Sequence, residues 1–145
     1  MNQNISVVKI LIVFAIIGVV ILVILTIVRP NYQFSLTNNS QRYSDVNAII
    51  NAVYQYATES GQLPLMIRET PTELCRQDAS DCTGLVDLRS LAASHDYLQK
   101  LPIDPSCPAN CPSNTSGYVI YKNNADRLVV TAPLAEMGQK IMVTR

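Results

Sequence analysis

The stretch ILIVFAIIGVVILVILTIV, residues 10–28, decides how the rest of this chain is organised. It contains no charged side chain, and Lys9 and Arg29 flank it. As an α-helix, these nineteen residues would be roughly 28 Å long at about 1.5 Å per residue, close to the hydrocarbon thickness of a bilayer. A strand is excluded by the length, and a buried core helix rarely runs so far without a polar face. The stretch therefore predicts a membrane-spanning helix.

A secretory signal peptide is the alternative reading of this helix. Such a peptide needs a basic segment before the apolar run, a shorter apolar core and a cleavage site of small residues. Residues 1–6 carry no basic side chain, and Arg29-Pro30-Asn31-Tyr32 follows the apolar run. We therefore expect a retained anchor at residues 1–30 and a single globular head at residues 31–145.

The composition argues against several classes of protein. The chain has 11 Lys and Arg residues and 11 Asp and Glu residues, for a net charge of +0. This balance indicates neither a nucleic-acid partner nor a polybasic membrane patch. The sequence has no glycine-rich phosphate loop, and the lone His95 has no catalytic pattern around it. We expect no enzymatic activity, no resident metal and no other cofactor.

All four cysteines lie beyond the apolar stretch, at Cys75, Cys82, Cys107 and Cys111. An even count in loop-like sequence after a membrane helix indicates disulfides in an oxidising compartment. Of the three pairings that four cysteines allow, we favour Cys75 with Cys82 and Cys107 with Cys111, because short loops close most readily. The alternative is a zinc site of four thiolates, but six, twenty-four and three intervening residues do not give its usual tight pairs.

The head begins with the pattern of an amphipathic helix at residues 41–59. Apolar residues recur there at i, i+3, i+4, i+7 and i+11, on one face: Val46, Ile49, Ile50, Val53 and Ala57. Gly61 and Pro64 should end this helix, and Ser44 and Asp45 should lie on its solvated face. The polar residues 33–40 leave a break open, and Pro30 leaves a kink or an end of the first helix open.

The second half of the head has the pattern of an antiparallel hairpin. Residues 117–122 and 127–132 alternate as strands around a turn at 123–126, and residues 141–143 form a further strand. Residues 65–83 are expected to be irregular, with a short helix following them near Leu88 and Leu91. Four tyrosines are expected to pack the helix against the sheet: Tyr54, Tyr56, Tyr118 and Tyr121. The order predicts an α+β fold, in which a long N-terminal helix, half transmembrane and half amphipathic, packs on a small antiparallel sheet.

This layout resembles that of bacterial type IV pilins and type II secretion pseudopilins. Four stretches carry the resemblance in order: FAIIGVVILVIL (14–25), SDVNAIINAVYQYATESGQLP (44–64), YLQKLPIDP (97–105) and GYVIYKNNADRLVVTAPL (117–134). The resemblance implies a subunit of a pilus or pseudopilus-like filament, partnered by membrane lipid and by other subunits. It implies an inner or plasma membrane protein with its head outside the cytoplasm, or in a cell-surface filament. Five residues would belong to the membrane and filament helix: Lys9, Phe14, Gly18, Arg29 and Pro30.

The sequence departs from this family at the processing signature. In an alignment on Ile16-Ile17-Gly18, Asn4 takes the place of the glycine that precedes cleavage, and Lys9 takes the place of the family's glutamate. We therefore expect no cleavage after Asn4, and we keep a second function open. In that function the chain is a permanently anchored, pilin-like binding or assembly factor that is neither cleaved nor polymerised.

Calcium is the one ligand that the resemblance suggests. Some pseudopilins bind calcium in their C-terminal loops, and Asp104 and Asp126 flank the corresponding region of this sequence. The sequence lacks the compact run of oxygen ligands that a calcium loop provides.

Overall fold

The computed structural model describes residues 3–27, 30–93, 97–107 and 109–145. Two compact units make up the chain, Met1–Phe34 and Ser35–Arg145. Within the described residues the elements are, in order, α1 (Gln3–Ile27), α2 (Pro30–Ser60), β1 (Thr72–Cys75), α3 (Arg89–Ala93), β2 (Thr115–Lys122), β3 (Leu128–Ala132) and β4 (Ile141–Thr144). The predicted α+β class is confirmed: an apolar N-terminal helix and a further long helix accompany an antiparallel sheet.

Helix α1 is the apolar element that the sequence predicted. Its segment Val7–Thr26 is long and apolar enough to cross a membrane, and all its side chains are exposed. Such a helix satisfies its own backbone hydrogen bonds, which is the requirement that a bilayer imposes. Arg29, expected to close the anchor, lies outside the described residues. Pro30 is the first residue of α2, where the missing N–H of proline costs no helical hydrogen bond.

Helix α2 begins at Pro30, so the start predicted at residue 41 is wrong, and the helix runs without a break through residues 33–40, where the sequence left one open. Serine and asparagine have low helix propensity because their side chains compete for nearby backbone groups. Here the side chains of Ser35, Asn38 and Asn39 are engaged by Glu136, about a hundred residues further along the chain. Because these side chains bind Glu136, they do not compete for nearby backbone groups, and the helix is favoured over a loop.

The apolar stripe of α2 faces the core as predicted. Val46, Ile49, Ile50 and Val53 are each 0% exposed. The helix ends at Ser60, and Gly61 follows with a φ of 76°, the left-handed conformation that commonly terminates a helix.

The sheet has the strand order β1-β2-β3-β4, and all neighbours are antiparallel. The predicted hairpin is present: Ile120 of β2 pairs with Val130 of β3, and Asn123 begins the turn between them. The predicted alternation of β2 is also present, because Tyr118 and Ile120 are fully buried while the residues between and after them are half-buried.

Strand β1 lies inside the segment that the sequence predicted to be irregular. Thr72 pairs with Ile120, and the register shifts between Glu73 and Cys75. A strand of four residues that contains an irregularity offers too few alternating positions for a periodic signal. The strand forms because it pairs with β2, and not because of a periodic pattern in its own sequence.

The core forms between α2, α3 and the sheet. Its buried members include Ile49, Leu74, Leu91, Tyr118 and Val130. The expected packing of the tyrosines holds only in part. Tyr54 is exposed and lies under the guanidinium of Arg145, 5.9 Å from ring centroid to Cζ. Tyr56 meets the ring of Tyr97 edge-on at 5.8 Å.

Candidate functional site

The first candidate surface is α1 itself. Phe14 is 68% exposed, and Lys9 is exposed among apolar neighbours. A Cβ on Gly18 would meet no atom within 4 Å apart from its chain neighbours and the backbone of its own helix. An apolar surface of this extent marks a contact with membrane or with other proteins. The predicted contact residues Lys9, Phe14 and Gly18 are therefore available on α1.

The second candidate is a buried ion network in the head, centred on Arg42. The Arg42 side chain is 0% exposed. Its Nε and Nη2 donate to the two carboxylate oxygens of Asp104 at 2.7 and 3.0 Å, and Nη2 also donates to Ser106 Oγ at 2.6 Å. Its Nη1 donates to Asn39 Oδ1 and to Glu136 Oε1, both at 2.9 Å. We call these five residues the Arg42 network.

Arg42 uses its whole hydrogen-bonding capacity in this network. A guanidinium has five N–H donors, and the contacts above provide one acceptor for each. Burial acts to lower the pKa of Arg42, but the hydrogen bonds that it donates to Asp104 and Glu136 raise the pKa above its ordinary value. The side chain is therefore a fixed cation that joins three parts of the head: α2, the turn at residues 104–107 and the β3–β4 connection.

Glu136 is the more exposed acid of the network, with 32% of its side chain accessible. It accepts hydrogen bonds from Ser35 Oγ, from Asn38 Nδ2 at 2.9 Å and from Arg42. These three donors lower the pKa of Glu136 from 4.5 to about 2. Glu136 is therefore an anion at neutral pH, and it binds three side chains in the N-terminal half of α2.

Asn39 binds the backbone of the same connection. Its Oδ1 accepts from the N–H of Glu136 at 2.9 Å, and its Nδ2 donates to the carbonyl of Glu136 at 3.0 Å. A side-chain amide that pairs with one residue's N–H and C=O fixes that residue in position as a strand neighbour would.

Asp104 is held from both sides. Its Oδ1 accepts from the N–H of Ser106 at 2.8 Å, and its own N–H donates to the carbonyl of Ser116 in β2 at 2.8 Å. Cys107 N–H donates to the Asp104 carbonyl at 2.9 Å, which closes a β-turn with Pro105 at its second position. The expected turn around Asp104-Pro105 is present, and its aspartate faces Arg42.

The turn lies directly over Gly117 of β2. Gly117 has a φ of 83°, and a Cβ there would stand 2.7 Å from Asp104 Cβ and 3.0 Å and 3.3 Å from the sulfurs of Cys107 and Cys111. Only glycine combines this backbone conformation with so close an approach. The conformation of Gly117 thus permits the turn to reach Arg42.

A second buried contact joins α2 to the sheet. Tyr118 Oη donates to Asp45 Oδ2 at 2.6 Å, and Gln41 Nε2 donates to Asp45 Oδ1 at 2.7 Å. Burial, followed by the neighbouring Asp45 carboxylate, raises the pKa of the Tyr118 hydroxyl well above its usual range. Asp45 is buried, so the expectation that it lies on a solvated face is wrong.

The cysteines form the two local disulfides that the loop lengths favoured. Cys75 and Cys82 have Cα atoms 5.5 Å apart, and Cys107 and Cys111 have theirs 5.1 Å apart. All four sulfurs are used, so the chain presents no set of four thiolates for zinc.

The two acids considered for calcium are bound to cations of the chain. Both Asp104 oxygens accept from Arg42, and Asp126 Oδ1 accepts from Lys122 Nζ at 2.6 Å. In the part of the chain that the structure describes, no three His, Cys, Asp or Glu side chains are placed to share a metal ion. His95 lies outside the described residues.

The sequence contains a signal for the Arg42 network that the pattern analysis missed. Arg42 precedes Val46, Ile49 and Val53 at helical spacing, so it continues the apolar stripe. A cation on a core-facing position requires a buried partner. The position of Arg42 on the apolar stripe thus marks it as a buried, paired cation, but it does not show that Asp104 and Glu136 are its partners.

Comparisons of the chain with protein-family models, with curated proteins and with solved structures give no match.

Proposed function

We propose that the chain is a structural subunit of a type IV pilus-like or type II secretion pseudopilus-like filament, anchored by α1. The observation that carries the proposal is the surface of Val7–Thr26, which is exposed throughout and apolar apart from Lys9 and Thr26. Lipid covers such a surface in a membrane, and apolar helices of neighbouring subunits cover it in a filament. The order of a membrane-length helix, a helix with a core-facing stripe and an antiparallel sheet supports the same proposal.

The proposal places the head outside the cytoplasm, with α1 in the inner or plasma membrane before assembly. Its support is the pair of disulfides in the head, since such bonds persist in oxidising compartments. Protease added to spheroplasts should then remove residues 31–145. A fully protected head would contradict this orientation.

A non-enzymatic role is part of the proposal. The strongest polar cluster of the head is saturated, because every N–H of Arg42 has an acceptor within the chain. A cluster saturated in this way serves to join elements of the fold.

Crosslinking through α1 tests the filament role. All four native cysteines are in disulfides, so Gly18→Cys introduces the only free thiol. Oxidation should link subunits into dimers through α1 in a sheared filament fraction, whereas Thr83→Cys in an exposed loop is the matched control for random collision. A chain that stays in the membrane fraction and gives no more dimer than Thr83→Cys would contradict the proposal.

The second candidate, a permanently anchored binding or assembly factor, is favoured by Lys9. A lysine near the end of a membrane helix can extend to the headgroups, but inside a bundle of apolar helices it requires a carboxylate. The chain has no Asp or Glu in residues 1–44. If Lys9 and Asn4 block processing and assembly, Lys9→Glu combined with Asn4→Gly should increase both, as measured by intact mass and by the sheared fraction. A wild-type chain that is already cleaved and abundant in filaments would exclude the second candidate.

A further inference from the structure

The two disulfides of the head have different surroundings. Cys75 has no exposed surface and lies in β1, whereas Cys107 and Cys111 are both half-buried in a loop. Thiol–disulfide exchange requires that a thiolate reach one sulfur and that the other sulfur leave. Both residues of the Cys107–Cys111 pair are therefore partly exposed, whereas one residue of the Cys75–Cys82 pair is fully buried.

The more accessible bond is also the one next to the Arg42 network. Cys107 ends the turn whose Asp104 and Ser106 bind Arg42, and its N–H donates to the Asp104 carbonyl at 2.9 Å. Both sulfurs and the Asp104 Cβ border the space above Gly117. The disulfide and the aspartate thus occupy one tightly packed place on β2.

We propose that the Cys107–Cys111 disulfide is a redox switch, here called the latch, that holds the turn at residues 104–107 against Arg42. While the bond is intact, the turn is held on β2, and Asp104 and Ser106 bind Arg42. After reduction the two sulfurs are no longer bonded and must separate to van der Waals distance, and both lie against Gly117. The turn then moves, Arg42 keeps Asn39 and Glu136, and α2 loses its link to the turn.

The reductant in this exchange is a dithiol, either a small molecule or a dithiol oxidoreductase. Its thiolate attacks one cysteine sulfur and forms a mixed disulfide, and the other cysteine leaves as a thiolate. The second thiol of the reagent then displaces the remaining cysteine. The protein bond is reduced by two electrons, the dithiol is oxidised to a disulfide, and its two protons pass to Cys107 and Cys111. This latch is independent of the filament role.

Stepwise reduction of the full chain in detergent, followed by alkylation and peptide mapping, tests the order of the two bonds. Dithiothreitol should reduce Cys107–Cys111 at concentrations that leave Cys75–Cys82 intact. Reduction of Cys75–Cys82 first, or of both bonds together, would overturn the proposal.

Hydrogen exchange on the selectively reduced chain tests the link to Arg42. The amides of Asp104, Ser106 and Cys107 should exchange at least about tenfold faster, as for a local opening, and re-oxidation should restore protection. The amide of Val130 in β3 is the internal control and should be unchanged. Unaltered exchange at the turn, or equal acceleration at Val130, would show a purely structural disulfide.

Paired variants separate the latch from loss of folding. Cys107→Ser with Cys111→Ser should reproduce the fast exchange of the turn and abolish its response to dithiothreitol. Cys75→Ser with Cys82→Ser should keep that response. The Nε–H signal of Arg42 in ¹⁵N spectra should shift on reduction of the wild type and should already be shifted in the Cys107/Cys111 variant. A response to dithiothreitol in the variant that lacks this bond would overturn the proposal.

Discussion

Replacing Arg42 with methionine should destabilise the head strongly. Methionine fills much of the same space but leaves Asp104, whose side chain is 0% exposed, without the cation that binds both its oxygens. Removing one partner of a buried ion pair costs about 3–5 kcal/mol. For a unit of the size of Ser35–Arg145, an unfolding entropy of about 2.1 cal/mol/K per residue converts this to a fall in Tm of about 13–22 °C.

The full-length chain in detergent provides the assay. All seven tyrosines follow α1 in the sequence, so near-ultraviolet circular dichroism during denaturation reports the head rather than α1. Arg76→Met is the matched control, because Arg76 pairs with Asp78, whose side chain is 65% exposed. An ion pair that solvent reaches in this way contributes little to stability.

Two results would refute the reasoning about Arg42. One is an Arg42→Met chain whose free energy of unfolding lies within about 0.5 kcal/mol of the wild type, the range of neutral surface changes. The other is a double variant, Arg42→Met with Asp104→Asn, that is no more stable than Arg42→Met alone. The asparagine keeps the acceptor for Ser106 N–H and removes the buried charge, so it should recover part of the loss.

Three further predictions concern the core, the turn and pH. Ile50→Asp should unfold the head, since Ile50 is fully buried and an unpaired buried charge costs several kcal/mol; retained near-ultraviolet dichroism would show that the stripe does not face a core. Gly117→Ala should lower the free energy of unfolding by roughly 2–5 kcal/mol, because of backbone strain and overlap with Asp104. Gly84→Ala is the control: Gly84 has a φ of 78° but open space around it, so the loss should be smaller. Equal losses in the two variants would exclude the overlap. Because the pKa of Glu136 is lowered from 4.5 to about 2 on folding, its contribution is present above pH 4.5 and is lost as pH falls toward 2. Glu136→Gln should therefore flatten the acid side of the stability curve, and an unchanged slope would contradict the assignment.

The sequence predicted those elements whose signal is periodic and local. The apolar run of α1, the stripe of α2 and the alternation of β2 each repeat within a window of one element, and the structure contains all three. The end of α2 was also predicted, because Gly61 terminates helices through its own backbone freedom. Short-range patterns thus determined the class of the fold.

The elements that the sequence did not predict depend on distant contacts. The first turns of the head's helix use Ser35, Asn38 and Asn39, whose partner Glu136 is about a hundred residues away. Strand β1 exists through its pairing with β2. Asp45 was placed on the solvated face because its partner, the hydroxyl of Tyr118, is also remote in sequence. Side-chain propensity alone favours loop or solvent for Ser35, Asn38, Asn39 and Asp45.

The Arg42 network explains why one arrangement of the head is selected. An apolar stripe can pack against a sheet in several registers, since hydrophobic contact has no direction. Turning α2 by one residue rotates its side chains by about 100°, which would carry Arg42 away from the turn at residues 104–107 and from Glu136 together. Each alternative register therefore leaves a buried cation and a buried carboxylate unpaired, at a cost of several kcal/mol. We infer that the network contributes more to the uniqueness of the fold than to its net stability.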